Sequence, residues 1–405
     1  MDVPESKPTA APSFPWLALV ILAGAIFVSV TSEVLPTGLL PDMAKGLEVS
    51  QSQIGLLVTV FAGTVVVSAA PLTTLTHRFG RKRLVLIVLL GFAVTNFLGA
   101  IAPNYLVMVL SRVLGGLAHG LFWAVVGAYA AHLVPKAQLA RAVAVTGSGA
   151  TLAFILGVPV GTALGHLIGW RGAFAAMGVA ILMLTLLVLR FLPKVNHIEP
   201  LKTGEIAVPM RHDPSLFGIA VICVITTVLM SGQNLFYTYI VPFFTTAASF
   251  ASSSVALLLL AYGIAGAVGL FLAGLVGAKY PRASLVVAFM LVGVAVLVMA
   301  LLPHLNWLVV AMLVLWGAAF GGTPALLQTR VLHTASVRLR DVSSAYFTTS
   351  FNVGIGGGAF IGGLLLDAYG IGVLPFVDVA VTVVGILLIL VTNRLISRRA
   401  ARFGL

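Results

Sequence analysis

Apolar and polar residues are distributed along this chain in long blocks. Twelve apolar blocks, separated by short polar turns, are each long enough to cross the membrane, since a helix rises about 1.5 Å per residue and the hydrocarbon is about 30 Å thick. The blocks lie at 17–41, 52–76, 84–102, 105–133, 139–166, 171–192, 216–245, 251–278, 283–302, 306–332, 342–366 and 371–394. This pattern predicts an all-α membrane protein with twelve transmembrane helices.

The longest polar stretch divides the spans into two groups of six. We predict a cytoplasmic N-terminal tail at 1–16, a six-helix half at 17–192, a cytoplasmic linker at 193–215, a second six-helix half at 216–394 and a cytoplasmic C-terminal tail at 395–405. A weak internal repeat supports this division, because TLTHRFGRKRL (74–84) follows the second span and GLVGAKYPRASL (274–285) follows the eighth. Two repeated halves predict a cavity between them.

Composition excludes a soluble globular protein, because 60% of the residues are apolar and only 8% are charged, against about a quarter charged in soluble domains. The net charge of +12 would suit a nucleic-acid partner, but the basic residues lie between apolar spans. All of them except Lys45, Arg171 and Arg112 fall on the side of the termini, which the positive-inside rule assigns to the cytoplasm. We therefore predict a multi-pass protein of the plasma membrane that is surrounded by the lipid bilayer and binds no nucleic acid.

The reactive side chains argue against covalent chemistry. Cys223 is the only cysteine, which excludes an intramolecular disulfide and a Cys-ligated metal cluster. The sequence has no phosphate-binding loop for a nucleotide and no nucleophile elbow. We expect a monomer with no cofactor, no metal and no enzymatic activity, and any transport must then be driven by a gradient.

An arginine lies inside the fourth apolar span, where a charge is costly and is commonly functional. At about 100° per residue, Arg112 shares one helical stripe with Gly116, His119, Gly120 and Trp123. Such a stripe must face protein or water. Arg112 therefore either faces a transport cavity or holds two helices together.

Glu33 in the first span is the acid that matches Arg112 in depth, since both lie roughly 10–12 Å from the outer end of their helices. The protonation of a carboxyl group there depends on water access and on the distance to the guanidinium. Glu33 is therefore the candidate proton carrier and Arg112 the group that tunes it, with a static salt bridge as the alternative. His119 is a candidate member of the same proton relay, or a packing residue. Asp378, the other acid within a span, is expected to make a local hydrogen bond between helices.

Aromatic and uncharged polar side chains in the fourth, seventh, tenth and eleventh spans form the candidate substrate site. They are Phe122, Trp123, Met230, Gln233, Asn234, Tyr237, Gln328 and Asn352. Ring faces and amides suit a small neutral or amphiphilic solute. Hydrogen bonding between helices is the alternative for each residue taken singly.

The loop after the second span carries a recognisable motif. Residues 73–82 read Thr-Thr-Leu-Thr-His-Arg-Phe-Gly-Arg-Lys, which resembles the loop signature Gly-x-Leu-Ala-Asp-Arg-x-Gly-Arg-Lys of the major facilitator superfamily. The resemblance implies a cytoplasmic gate formed by His77, Arg78, Gly80 and Arg81. His77 replaces the acid that the family uses as a latch, and Thr73 replaces a glycine. A plain basic loop that only sets the topology is the alternative.

Two further spans resemble the drug and sugar proton-antiporter branch of that superfamily. Arg112, Gly116 and Gly120 match its Arg-x-x-x-Gly-x-x-x-Gly signature, and GVPVG at 157–161 resembles its antiporter motif. Physical reasoning alone gives Gly157 and Gly161 a flat face for close helix packing and lets Pro159 bend the helix.

Within the branch, the chain is most similar to sugar-efflux transporters of the SotB type. The segments that carry this resemblance are TSE at 31–33, PTGLLP at 36–41, AHGLFW at 118–123, YTYIVPF at 237–243 and FNVGIG at 351–356. The resemblance implies proton-coupled export of a sugar or drug by alternating access. A facilitator or a proton symporter that imports a sugar-like solute is the first alternative, and a transporter-like sensor or a membrane enzyme is the second.

Overall fold

A computed structural model describes residues 14–76, 79–135, 138–195, 213, 215–280, 283–336 and 339–403. Within these ranges the chain is helical and contains no strand. Eleven helical segments are long and apolar enough to cross a membrane, and the longest is Arg141–Phe191. Gly169 breaks this segment into two crossings because its φ of 79° lies in the left-handed region that glycine tolerates. The all-α architecture with twelve crossings is confirmed.

We number the crossings α1 to α12. They are α1 Trp16–Gly38, α2 Gln51–Thr76, α3 Arg81–Ala100, α4 Tyr105–Leu133, α5 139–168, α6 170–191, α7 Ser215–Tyr237, α8 Val255–Lys279, α9 Ala283–Leu301, α10 Asn306–Gly321, α11 Arg340–Tyr369 and α12 Leu374–Phe403. Shorter helices continue three of them: Leu40–Leu47 after α1, Ile240–Pro242 after α7 and Thr323–Thr334 after α10. Since α12 runs to Phe403, the predicted tail at 395–405 begins inside this helix.

The two groups of six helices meet along two equivalent contacts. The second helix of the first group, α2, packs against α11, which is the fifth helix of the second group. The fifth helix of the first group, α5, packs against α8, which is the second helix of the second group. This exchange of positions is the pseudo-twofold relation expected of two repeated halves.

Among the described residues, the apolar cluster that joins the two halves lies on one side of the membrane. We call the side that holds residues 14 and 403 the termini side, and the other the far side. On the far side one apolar cluster includes residues of both halves, among them Met43, Trp170, Ile240 and Phe244, whereas the clusters nearer the termini side each belong to one half. Apolar packing between the halves is therefore concentrated on the far side within the described residues.

Two hydrogen bonds join the halves within the described ranges, and both lie between the far side and the middle of the membrane. Ser52 Oγ donates to Asp367 Oδ2 at 2.7 Å, and Thr59 Oγ1 donates to the carbonyl of Gly356 at 2.9 Å. Both connect α2 to α11. This pair of helices therefore carries the polar part of the far-side closure.

The glycine face of α5 packs against α1. A Cβ on Gly157 would overlap Oγ1 of Thr31, and one on Gly161 would lie 2.5 Å from Cδ1 of Leu35. Just before Pro159 the helix widens into a π-helical turn over Ala153–Gly157, which fits a proline that cannot donate the next backbone hydrogen bond. The close approach predicted for these glycines is thus present in the fold.

Candidate functional site

Arg112 is buried deep in the first half, with only 1% of its surface exposed. One terminal nitrogen, Nη1, donates to the backbone carbonyl of Ser32 at 2.9 Å. The guanidinium lies over the rings of Phe61 and Phe174, at 5.7 and 5.3 Å from their centres. A carbonyl and two ring faces therefore contact the positive charge.

The carboxylate of Glu33 lies beside His119. Its Oε2 is 3.6 Å from Nε2 of His119, and within the described residues it makes no ion pair with Arg112 under the 4.0 Å limit. Helical side chains lean toward the start of their own helix. Since α1 starts on the termini side and α4 on the far side, Glu33 and Arg112 lean apart. His119 lies about two turns closer to the termini side on α4 and leans back toward Glu33.

The hydrogen bonds of His119 define its tautomer in this conformation. Its Nε2 accepts the indole N–H of Trp123 at 2.7 Å, and its Nδ1 lies 3.0 Å from Oγ of Ser29. Because an indole can only donate, Nε2 must carry a lone pair, and the proton of the neutral ring is then on Nδ1 and donated to Ser29. Trp123 is 37% exposed. A chain of contacts thus runs from the partly exposed Trp123 through His119 to Glu33.

The polar network of the first half includes side chains that the sequence interpretation did not single out. Asn96 Nδ2 donates to Oγ of Ser32 at 2.7 Å, next to the carbonyl that binds Arg112, and Ser29 binds His119. The available signal was an amide in the far-side part of the apolar span α3. Serine is too common in membrane helices to give such a signal.

Gln233 is the centre of a second network, in the other half. Its Nε2 donates to the hydroxyl of Tyr262 at 3.0 Å, and its Oε1 accepts the indole N–H of Trp316 at 2.9 Å. The ring of Tyr237 packs against that of Tyr262, with centres 5.1 Å apart. Sequence interpretation predicted Gln233 and Tyr237 but missed Tyr262 and Trp316, which are aromatic residues with a polar atom inside apolar spans.

The other predicted substrate residues are dispersed. Asn234 and Asn352 each donate to a carbonyl one turn earlier in their own helix, at 2.9 and 3.0 Å. Phe122 and Met230 are fully buried inside the first and second half, respectively, so neither lines the space between the halves in this conformation. Gln328 is exposed on the short helix after α10.

The predicted gating and packing residues divide into three groups. His77 and Arg78 lie outside the described residues. Gly80 precedes α3 and Arg81 is its first residue. Gly116 and Gly120 face α2, where an added Cβ would lie 2.8 Å from the carbonyl of Phe61 and 2.8 Å from Oγ of Ser68, respectively. These two glycines therefore allow α2 and α4 to pack closely.

Asp378 is a buried carboxyl group in α12, with 1% of its surface exposed. Its Oδ1 accepts a long hydrogen bond from Thr382 at 3.3 Å, one turn later in the same helix. Within the described part of the chain, its Oδ2 has no hydrogen-bond partner. The hydrogen bond between helices that was expected for Asp378 is therefore absent here, because its partner is on its own helix.

Twelve crossings in two pseudosymmetric halves, each with a buried polar network, are the architecture of a membrane transporter. The sequence model described as Major Facilitator Superfamily matches residues 22–356 and 222–403. The chain belongs to this superfamily, whose members are transporters and not enzymes.

Two curated relatives indicate one group of transporters within the superfamily. A probable sugar efflux transporter of Helicobacter pylori is 32% identical over 366 residues, which is 90% of this chain and 92% of the relative. A probable sugar efflux transporter of Helicobacter acinonychis is 32% identical over 368 residues, covering 90% and 93%. The resemblance to sugar-efflux transporters within the superfamily is thus confirmed.

Solved structures agree in fold at low identity. A mutant of the nucleoside transporter NupG superposes with a TM-score of 0.79 at 15% identity, covering 93% of this chain and 99% of that one. A bacterial homologue of the human lysosomal transporter Spinster, in an inward-facing and occupied conformation, superposes with a TM-score of 0.76 at 14% identity, covering 95% and 98%. At these identities the comparison bears on the fold alone.

Proposed function

We propose that this protein is a proton-coupled exporter of a small neutral or amphiphilic solute, a sugar or a drug, and that it works by alternating access. The observation that carries the proposal is the pair of titratable side chains Glu33 and His119, 3.6 Å apart and joined to the partly exposed Trp123. A buried carboxyl group beside an imidazole can gain and lose a proton as water access changes. The relatives named as probable sugar efflux transporters support the solute class and the direction.

The second half supports a neutral solute. In this conformation Gln233 is buried with its amide held between two aromatic hydrogen-bonding partners, Tyr262 and Trp316, and Tyr237 adds a further ring. Ring faces stack on the apolar faces of a sugar or a drug, while amides and hydroxyls bind its polar groups. These four side chains carry no formal charge, which suits a neutral solute.

The pseudosymmetric contacts support alternating access. Because α2/α11 and α5/α8 are equivalent pairs, rocking one half about them would open the far side and close the termini side. With both termini in the cytoplasm, as the distribution of Lys and Arg predicts, the present conformation faces the cytoplasm. An exporter loads its solute in that state.

Flux across reconstituted vesicles tests this proposal. Purified protein is placed in liposomes with an imposed pH gradient, and uptake of radiolabelled galactose and lactose is measured together with the change in internal pH. We expect sugar movement against its concentration, coupled to proton movement in the opposite direction. Glu33→Gln should remain folded, because Gln resembles a protonated carboxyl group, yet lose gradient-driven accumulation. Accumulation by Glu33→Gln at the wild-type rate would exclude Glu33 as the proton carrier, and sugar and protons moving in the same direction would identify a symporter.

A further inference from the structure

One nitrogen of His119 faces two side chains with competing requirements. A neutral imidazole has a single acceptor nitrogen, and here it is Nε2, which accepts the indole N–H of Trp123 at 2.7 Å. Oε2 of Glu33 lies 3.6 Å from the same nitrogen. A proton shared between Glu33 and His119 needs the lone pair that Trp123 occupies. The indole N–H and the shared proton therefore exclude each other.

We propose that Trp123 is the positioning residue that couples solute to proton, because its indole N–H and the transported proton compete for Nε2 of His119. The inference rests on the proposed function and adds to it the way in which the two ligands exclude each other. Trp123 is suited to this task by its position, since one edge donates to His119 while 37% of its surface is exposed.

The competition makes proton binding and solute binding oppose each other. When a proton enters from the water between the halves and is shared by Glu33 and His119, the indole loses its acceptor and must leave, because an unpaired buried donor is costly. Phe92 and Phe122 fill the interior beside His119, so the indole turns toward its exposed side. There it takes up room that a solute needs. A solute packed on the indole in its present position holds it on His119 and keeps the proton out, which is the sign that antiport requires.

Few other charged groups bear on this equilibrium. Arg112 on α4 is the charged side chain near the pair. Among the helices packed around them, α2 carries no titratable residue and α3 carries charges only at its start. The other titratable residues lie near helix ends: His132 on α4, Arg141 and His166 on α5, and Arg171 and Arg190 on α6. The pair and Arg112 therefore dominate the pH response at this depth.

The indole N–H itself reports the competition without any solute. Protein is labelled with ¹⁵N-tryptophan, and the signal of Trp123 among the five indoles is identified by its loss in Trp123→Phe. We expect acidification to shift this signal as the N–H leaves His119, and we expect the shift to vanish in Glu33→Gln. A pH-independent Trp123 signal in the wild type, or an unchanged shift in Glu33→Gln, overturns the proposal.

Transport measurements then distinguish the role of Trp123 from the proposed function. Trp123→Phe keeps an aromatic ring but has no N–H, so the apparent affinity for galactose or lactose, which should vary with pH by at least about fivefold in the wild type, should vary by less than about twofold. Trp307→Phe is the matched control, because Trp307 on α10 is 71% exposed, and it should retain the wild-type response. A wild-type response in Trp123→Phe overturns the coupling role. The wild type could instead move neither sugar against a proton gradient while its indole signal still shifts with pH. That result would reject the proposed function but would support the competition at His119.

Discussion

Arg112 shows how a single residue can hold a full charge inside the membrane without a bonded carboxylate. Its guanidinium is planar, so it can contact the rings of Phe61 and Phe174 while Nη1 donates to the carbonyl of Ser32 in α1. An ammonium group is compact and strongly hydrated and cannot satisfy these three partners at once. The arginine therefore holds α4 against α1 next to Glu33.

Replacing Arg112 by lysine tests this role. Arg112→Lys keeps the charge but loses the stacking, and we expect a cost of about 1–2 kcal/mol in stability, a lower thermal unfolding midpoint and only partial transport. Arg171→Lys is the control, because Arg171 also lies over a ring, that of Trp170 at 4.1 Å, and donates to a carbonyl, but is exposed on the far side. Equal losses in the two variants would show that burial of Arg112 adds nothing.

At the scale of a single helix, α5 combines a π-helical turn with a close contact to α1. The π-helical turn Ala153–Gly157 lies directly before Pro159, and the glycines on either side of this proline face α1. The same helix packs against α8 of the other half. A shift of α5 therefore alters both its packing against α1, which carries Glu33, and its contact with α8 of the other half.

Alanine substitutions along α5 should separate close contact from helix propensity. Gly157→Ala brings a Cβ onto the short, branched side chain of Thr31, whereas Gly161→Ala meets the flexible tip of Leu35. We expect Gly157→Ala to cost roughly 1–3 kcal/mol through overpacking and Gly161→Ala less. Gly147→Ala, on the same helix with nothing within 4 Å of the added Cβ, should be neutral or stabilising. Thermal unfolding in detergent ranks the three variants, and an unaffected Gly157→Ala would mean that α1 and α5 can separate freely.

At the scale of the whole molecule, closure is concentrated on the far side. An apolar cluster crosses between the halves there, and the hydrogen bond from Ser52 to Asp367 links the far-side ends of α2 and α11. Gly55 of the first half packs directly against Tyr239 of the second, where an added Cβ would overlap the phenol ring. Opening this side must break a polar link and separate apolar surfaces together.

Removing the polar link should favour opening. Asp367→Ala or Ser52→Ala should reduce the stability of the far-side closure by roughly 1 kcal/mol, or about fivefold in population. The measurement is the rate at which an impermeant thiol reagent modifies a cysteine placed at the buried Leu57 in a Cys223→Ser background. Asp42→Ala is the control, since Asp42 pairs with His166 at 3.7 Å within one half. If the control raises the rate as much as Asp367→Ala does, the link between the halves is not what holds the far side closed.

The sequence by itself determined the number of membrane crossings, the side of the membrane that carries most of the Lys and Arg residues, the charged residues inside the spans and the helix faces lined by glycine. These follow from local properties: the length of an apolar block, the cost of a charge in lipid and the spacing of small residues along one helix. It also marked Glu33, Arg112, His119, Trp123 and Gln233 as polar groups that need partners.

Only the tertiary structure decided which partners they have. Glu33 lies next to His119 and not in an ion pair with Arg112, because α1 and α4 run in opposite directions and their side chains lean apart. Gln233 is held by Tyr262 and Trp316, which belong to α8 and α10, and Phe122 faces the core because of the rotation of α4. Helix direction, rotation and neighbours are relations between segments, and the order of polar and apolar residues within one segment does not contain them.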